Sequence, residues 1–356
     1  MQAKKRILVA PLNRGLGHAT RCIPIIEALE NHGFEPIIAS DGVALAFLKK
    51  EFPLLTALEL PPCHLHYTGN GTFFKLKALF RAPKMFSDIH REGKIVEELV
   101  TKHKIDGIIS DNRPGAYSRR VASVVVTHEL NSAAEHGSQL PTQIHRLFLR
   151  RYRECWIPDV KSSPNLSGKL GHSEESTLNL KYIGPISRLH KKITEKKYDL
   201  MVLLSGSEPE RTQLQEKLIK ELKNYNGTVV FIKGIVEEVE TATQKGSITF
   251  YNFMTTDNLE QAINESEIIL CRPGYSTIMD LAKMGKKAFF IPTPGLEEQE
   301  YLAKKLKKSG VAPYATQAKF KLADLQKTEM YKGLKEINGA AKWKDLFSLF
   351  EGKGKL

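Results

Sequence analysis

The sequence predicts two α/β domains in series, and three observations lead there. The chain has 356 residues, more than one hydrophobic core usually organises. Short apolar runs with strand character alternate with helical spacings along both halves, the pattern of parallel sheets covered by helices. Between the halves, around Gly184-Pro185, turn residues lead into the basic stretch His190 to Lys197 before a fresh strand pattern begins.

The elements follow in order. Lys5 to Pro11 reads as a short buried strand, and after a glycine-containing turn Ala19 to Asn31 places Ile23, Ile26 and Leu29 on one helical side. Pro36 to Ala39 (strand), Gly93 to His103 (helix), Asp106 to Ser110 (strand) and Ser123 to Thr127 (strand) continue the alternation. In the second half, strands are expected at Asp199 to Leu204, Thr228 to Ile232, Ile248 to Tyr251, Ile268 to Cys271 and Ala288 to Ile291. Helices are expected at Pro209 to Lys223, Asp257 to Asn264, Ser276 to Met284 and Glu298 to Lys308. Two Rossmann-like domains result, 1–184 and 185–339, with a C-terminal helix at about 340–352 packing back on the first. In such sheets ligands lie beyond the carboxyl ends of the strands, and a cleft between domains is the default site.

Composition narrows the function classes. Apolar residues make up 41% and charged residues 26%, the balance of a folded globular chain rather than a disordered one. No run approaches the roughly 20 apolar residues of a membrane span, and the apolar run Ile7 to Leu12 is too short for a signal peptide. The four cysteines form no CxxC pair, so neither a zinc knuckle nor a disulfide framework is indicated, and a cytoplasmic location is expected. The net charge of +13 suits nucleic acid, phosphorylated ligands or an anionic membrane surface alike. No helix-turn-helix, zinc or ribonucleoprotein motif supports the nucleic-acid reading, and no nucleic-acid partner is expected.

Four loops carry possible chemistry. Asn13-Arg14-Gly15-Leu16-Gly17-His18 joins the opening strand to a helix, where glycines admit a ligand and helix-start N–H groups favour an anion. His18 at its mouth either takes a proton from an attacking hydroxyl or merely starts the helix. Ser205 to Arg211 offers small and polar residues at another helix start, suited to a phosphate or to ordinary helix initiation. Cys271-Arg272-Pro273-Gly274-Tyr275-Ser276-Thr277-Ile278-Met279-Asp280 is the most informative stretch. There Gly274 frees the turn, the amides of Tyr275 to Thr277 begin a helix and Arg272 supplies a permanent cation, together a place for a diphosphate. Asp280, one turn deeper than Ser276, can accept hydrogen bonds from both ribose hydroxyls or simply face solvent. In Pro292 to Glu300, Glu298 and Gln299 have the groups to read sugar hydroxyls, although acidic residues suit any first turn.

Taken in order, these loops resemble the GT-B glycosyltransferases, most closely the MurG family, which transfers N-acetylglucosamine from its UDP carrier to a lipid-linked acceptor. The resemblance spans nearly the whole chain. The family's glycine-rich loop ending in His is matched by Gly15 to His18, and its His-Glu-Gln-Asn stretch by His128-Glu129-Leu130-Asn131. Its Gly-Ser-Gln-Gly-Ala-Arg loop is similar to Gly206 to Arg211, and its interdomain Gly-Asn-Pro-Val-Arg to Gly184 to Arg188. The donor loop is matched by Cys271 to Asp280, with Asp where Glu is typical, and the closing Gln-x-x-Asn-Ala by Gln299 to Ala303, with Leu302 in place of Asn.

The resemblance implies a GT-B fold whose two parallel sheets face an interdomain cleft, the first domain binding acceptor and the second nucleotide sugar. It implies an inverting, metal-independent transfer of a hexose or N-acetylhexosamine from a UDP-sugar, which is a substrate rather than a cofactor. His18 would be the base, with Gly15, Gly17, His128, Glu129 and Asn131 on the acceptor side. Ser207, Arg211, Met254, Arg272, Gly274, Tyr275, Ser276, Thr277, Asp280, Glu298 and Gln299 would hold the donor, and Phe253 would lie with Met254 by the nucleobase. A glycan or lipid-linked acceptor would suit the segment Phe73 to Phe86, which mixes aromatics with cations and has no acid. That segment is either a peripheral contact with anionic membrane or a helix with snorkelling lysines. A nucleotide-sugar hydrolase or 2-epimerase on the same fold is the alternative activity.

Overall fold

The computed structural model describes residues 3–63, 72–131, 140–173, 177–337 and 339–352. The chain forms two compact units. One comprises Met1–Asn13, His18–Ile186 and Asn338–Leu356, the other Arg14–Gly17 and Ser187–Ile337.

The first unit runs β1 (Arg6–Pro11), α1 (Leu16–Asn31), β2 (Glu35–Ser40), α2 (Gly42–Glu51), β3 (Ala57–Glu59), α3 (Thr72–Lys102), β4 (Gly107–Asp111), β5 (Ala122–Val126), α4 (Leu140–Leu149), β6 (Glu154–Ile157) and β7 (Leu180–Tyr182). Its seven strands pair in the order β3-β2-β1-β4-β5-β6-β7, all parallel. The central strands are buried on both faces, which is why Ile7 to Ala10 and Val124 to Val126 are unbroken apolar runs. One core joins Leu8, Ala10, Ile37 and Ile108 to Val96 and Val100 of α3. A second gathers Val125, Leu130, Leu149, Tyr152 and Ile157. Helix α3 begins at Thr72, well upstream of the expected Gly93. The sequence pattern of 73–86, rich in both aromatics and cations, hides the helical period that becomes clean only after Gly93.

The tail returns to this unit. In α9 (Trp343–Phe347) and the following turn, Phe347 lies 5.6 Å from the Phe34 ring and 6.3 Å from Trp156, and Lys5 Nζ donates to Phe350 O at 2.7 Å. At the point of return Gly184, with φ +79°, sits so close to Gly339 that a Cβ would fall 1.4 Å from the Gly339 carbonyl oxygen, so only glycine fits.

The second unit contains β8 (Tyr198–Leu203), α5 (Glu210–Glu221), β9 (Val229–Ile232), β10 (Ala242–Lys245), β11 (Ile248–Tyr251), α6 (Thr256–Glu265), β12 (Ser266–Cys271), α7 (Tyr275–Met284), β13 (Lys287–Phe290) and α8 (Glu297–Lys308). The strand order is β10-β11-β9-β8-β12-β13. The sheet is mostly parallel, as expected, with the edge strand β10 pairing antiparallel with β11 across a tight turn at Gly246-Ser247. Two residues are enough to reverse a strand, whereas a parallel neighbour needs a long crossover. Leu200, Val202, Leu214, Leu218, Phe231, Leu270, Phe289 and Phe320 form the core. Helix α7 ends on Gly285 at φ +65°, whose N–H bonds the Ala282 carbonyl while the Lys286 N–H bonds that of Leu281, so the helix stops abruptly before β13.

Candidate functional site

In the first unit the carboxyl ends of β1 and β4 converge on one network. Helix α1 carries His18 and Arg21 three residues apart, hence on one face, and β4 ends on Asp111, whose side chain is fully buried. His18 Nδ1 lies 2.6 Å from Asp111 Oδ1. Arg21 grips the same carboxylate in a fork, Nε to Oδ2 at 2.6 Å and Nη2 to Oδ1, and its Nη1 donates to His128 Nδ1 at 3.0 Å. Burial opposes the charge on Asp111, but Arg21 and then His18 outweigh it and pull the carboxyl down to about 2. Burial, reinforced by Arg21, holds His128 down at about 3, so its ring is neutral and accepts from Arg21. A neutral His18 with its proton on Nδ1 presents the Nε2 lone pair to an incoming hydroxyl, the arrangement of a general base.

Glu129 follows half-buried, its N–H held by Thr127 Oγ1 at 3.1 Å. Asn131 is held on both ends of its amide. Its amide donates to the carbonyls of Lys169 and His172, both at 2.7 Å, and accepts from Arg146 Nη2 at 2.7 Å, so both ends are committed to fastening the 168–173 loop. Gly15 takes φ +75°, a conformation that requires glycine. Gly17, one residue before His18, lies in the first turn of α1.

In the second unit β12 delivers Arg272-Pro273-Gly274 to the start of α7. Gly274 is the N-cap and has no side chain with which to cap the helix. Its φ of −70° and ψ of 141° are open to any residue, so it does not free the turn as expected. A Cβ there would meet only Thr277 Oγ1, at 3.7 Å, among the described residues. Neither backbone nor packing demands a glycine there. Tyr275 is buried, whereas Ser276 and Thr277 are half-buried in the first turn.

Arg272 corrects the sequence reading most sharply. Its side chain is buried, Nη1 donating to the carbonyls of Ile291 and Pro292 and Nη2 to Glu210 O and Gln317 Oε1. Burial drags the guanidinium down to about 10. The residue therefore braces the loops after β12 and β13 from within instead of offering a cation to a diphosphate. Arg211 is likewise committed, to Lys233 O at 2.9 Å and to Glu208, while Ser207 stays exposed after Gly206, which takes φ +107°.

Asp280 sits one turn into α7, half-buried, with Oδ1 accepting from Ser187 Oγ at 2.6 Å. Burial raises its carboxyl to about 6, against the pull of Arg188 and the Ser187 hydroxyl. Gln299 accepts the Thr293 N–H through Oε1 at 2.8 Å, and Glu298 is half-buried beside it in the first turn of α8. Met254 is buried, and the Phe253 N–H is taken by Asn252 Oδ1 at 2.9 Å.

Asp111 and Arg21, which the sequence reading did not single out, complete the network around His18. The available signal was an acid directly at the carboxyl end of a buried strand, where ligands of such sheets lie.

Residues 201–342 match the glycosyltransferase family 28 C-terminal domain, which takes in β12, α7 and α8. The chain is a MurG-like glycosyltransferase of GT-B fold. A transferase of Pasteurella multocida is 27% identical over 325 residues, 89% of this chain and 86% of that one. Its name is UDP-N-acetylglucosamine–N-acetylmuramyl-(pentapeptide) pyrophosphoryl-undecaprenol N-acetylglucosamine transferase. Among solved structures, MurG of Acinetobacter baumannii superposes with a TM-score of 0.56 at 13% identity, covering 98% of this chain and 99% of its own. The spinosyn forosaminyltransferase SpnP gives 0.59 at 12% identity, over 98% and 92%. Both likenesses establish the fold of the glycosyltransferase, two mostly parallel α/β sheets.

Proposed function

We propose that this glycosyltransferase moves a hexose or N-acetylhexosamine from a UDP-sugar to a hydroxyl of a lipid-linked or other cell-envelope acceptor, inverting the anomeric centre and needing no metal. The observation that carries the reading is the start of α7, where an uncrowded glycine at the helix N-terminus stands nearly two turns before the half-buried carboxylate of Asp280. Helix-start amides stabilise the charge of a departing diphosphate as it develops. Asp280 accepts the ribose hydroxyls, and Gln299 Nε2 with Glu298 reads the sugar. In the first unit His18 Nε2 takes the proton of the acceptor hydroxyl, which attacks the anomeric carbon in line. The C–O bond to the diphosphate breaks with its electron pair leaving on oxygen. The relative from Pasteurella multocida, named for a UDP-linked donor and an undecaprenol-borne acceptor, supports both substrate classes.

A thermal-shift screen of nucleotide sugars tests the donor half, since a ligand of the folded state raises its melting temperature. A UDP-sugar is expected to give the largest shift, and no shift with any nucleotide sugar would sink the reading. Gly274→Val is expected to melt like the wild type yet bind that donor ten- to a hundredfold more weakly, an overpacking cost of about 1–3 kcal/mol. Undiminished affinity would show that nothing approaches Gly274.

For the acceptor half, α3 and α4 expose Phe86 and Leu147, 44% and 57% accessible, with Lys84, Arg91 and Arg150 exposed nearby in sequence. Most of the Phe73–Phe86 segment lies outside the described side chains. Among the described residues no helix is long and apolar enough to cross a membrane, so contact with an acceptor-bearing bilayer would be peripheral. The protein is then expected to float with anionic vesicles at low salt and to be released as salt rises. Failure to float at any salt concentration would remove the membrane-borne acceptor.

A further inference from the structure

We infer that Arg21 is a positioning residue, one that neutralises Asp111 so that His18 rests as the neutral Nδ1–H tautomer with Nε2 free to act as a base. The inference rests on the reading of His18 as that base.

The geometry assigns each proton in turn. His18 Nδ1 has two partners, Asp111 Oδ1 at 2.6 Å and Arg21 Nη2 at 3.1 Å. A guanidinium only donates and an ionised carboxylate only accepts, so a single Nδ1 satisfies one or the other. The shorter contact is to the carboxylate, which places the hydrogen on Nδ1. The opposite tautomer would turn Nδ1 toward Arg21 and close Nε2 with a proton, leaving no base.

The charge count explains why an arginine is needed. The Asp111 and Arg21 side chains are 0% and 1% exposed, so bulk water offsets neither charge. With Arg21 in its fork the two cancel. Without it, the anion would face His18, neutral His128 and the Cys22 thiol, whose Sγ lies 3.9 Å from Oδ2. Of these His18 is the group in contact that can supply a balancing cation, by holding a proton. An imidazolium cannot take the acceptor's proton, so the same dyad without Arg21 would be inactive near neutral pH. The third arm of Arg21, to His128 Nδ1 at 3.0 Å, fixes the plane of the fork. Glu129 is a further charged neighbour and acts on His128.

Nitrogen-15 NMR of the histidine side chains tests this on the whole protein. In the wild type at pH 8 the His18 ring is expected as the Nδ1–H tautomer, and an Nε2–H tautomer would overturn the inference even if no variant folds. In Arg21→Gln the midpoint of the His18 titration is expected to rise by about one to three pH units, as for any group that loses a cation within a few ångströms. Arg21→Lys, which keeps the charge, is expected to restore most of the wild-type midpoint. An unmoved midpoint in folded Arg21→Gln overturns the proposal. The pH profile of donor turnover is expected to move alkaline with the NMR midpoint. A moved midpoint with an unmoved rate profile supports the charge balance and removes His18 as the base.

Discussion

His18→Ala is expected to lower turnover by about 10²- to 10⁴-fold, the usual worth of a positioned general base, while the KM for the donor changes little. The split follows from where the interaction is made. His18 meets the acceptor proton only as the hydroxyl attacks, so its loss falls on the transition state rather than on ground-state binding of the nucleotide sugar. Asp111→Asn should cost nearly as much although it removes a single charge and almost no volume. An amide at that position can turn its NH2 toward Nδ1, which favours the Nε2–H tautomer and removes the lone pair. It also strands Arg21, whose fork would then face a neutral group in a buried site. Steady-state release of nucleoside diphosphate, with free sugar and isomerised donor measured alongside, checks both variants. Wild-type turnover in His18→Ala would remove it as the base, and accumulation of free or isomerised sugar alone would move the enzyme to hydrolase or epimerase chemistry.

The contrast between Asp111 and Arg272 shows what was legible in the sequence and what was not. Strands buried on both faces write themselves as continuous apolar runs, so Val229–Ile232 was readable to within one residue, and the half-buried Ile248–Tyr251 was legible from its flanking turn residues. Loops at strand ends were legible for the same reason, because they begin where the run stops. The direction of a side chain within a loop is set by partners far along the chain. Arg272 turns toward carbonyls at 291 and 292 and toward Gln317, none of which carries a sequence signal for an arginine. Asn131 fits a family motif yet spends its amide on Lys169 and His172. Asp111 lies one residue beyond the expected strand Asp106 to Ser110, and Arg21 sits on an amphipathic helix, where an arginine normally faces water. Only the three-dimensional meeting of α1 with β4 makes them a pair.

Asp280 should make donor binding pH-dependent, and the sign can be worked out. Its carboxyl is raised by burial from 3.8 to about 6 in the free enzyme, whereas two ribose hydroxyls donating to it favour the ionised form. Binding therefore expels a proton below pH 6. Affinity is expected to weaken about tenfold for each pH unit below 6 and to level off above it. In the free protein the same shift has the opposite consequence. An acid whose folded pKa lies above its unfolded value costs stability, beginning as pH rises through about 4 and complete above about 6. Asp280→Asn keeps an acceptor for Ser187 Oγ and removes the buried charge, so above pH 6 it should be more stable than the wild type, by up to about 2–3 kcal/mol. The same variant should bind the nucleotide 10²- to 10⁴-fold more weakly, the loss of two hydrogen bonds to a charged group, with a flat pH profile. Isothermal titration between pH 5 and 8, paired with urea melts, reads both effects. A variant that loses stability and keeps its affinity would identify Asp280 as a brace for Ser187 instead of a ribose contact. The expected opposite movement of stability and affinity would mean that the fold bears the cost of a desolvated carboxylate at α7 because the donor requires it there.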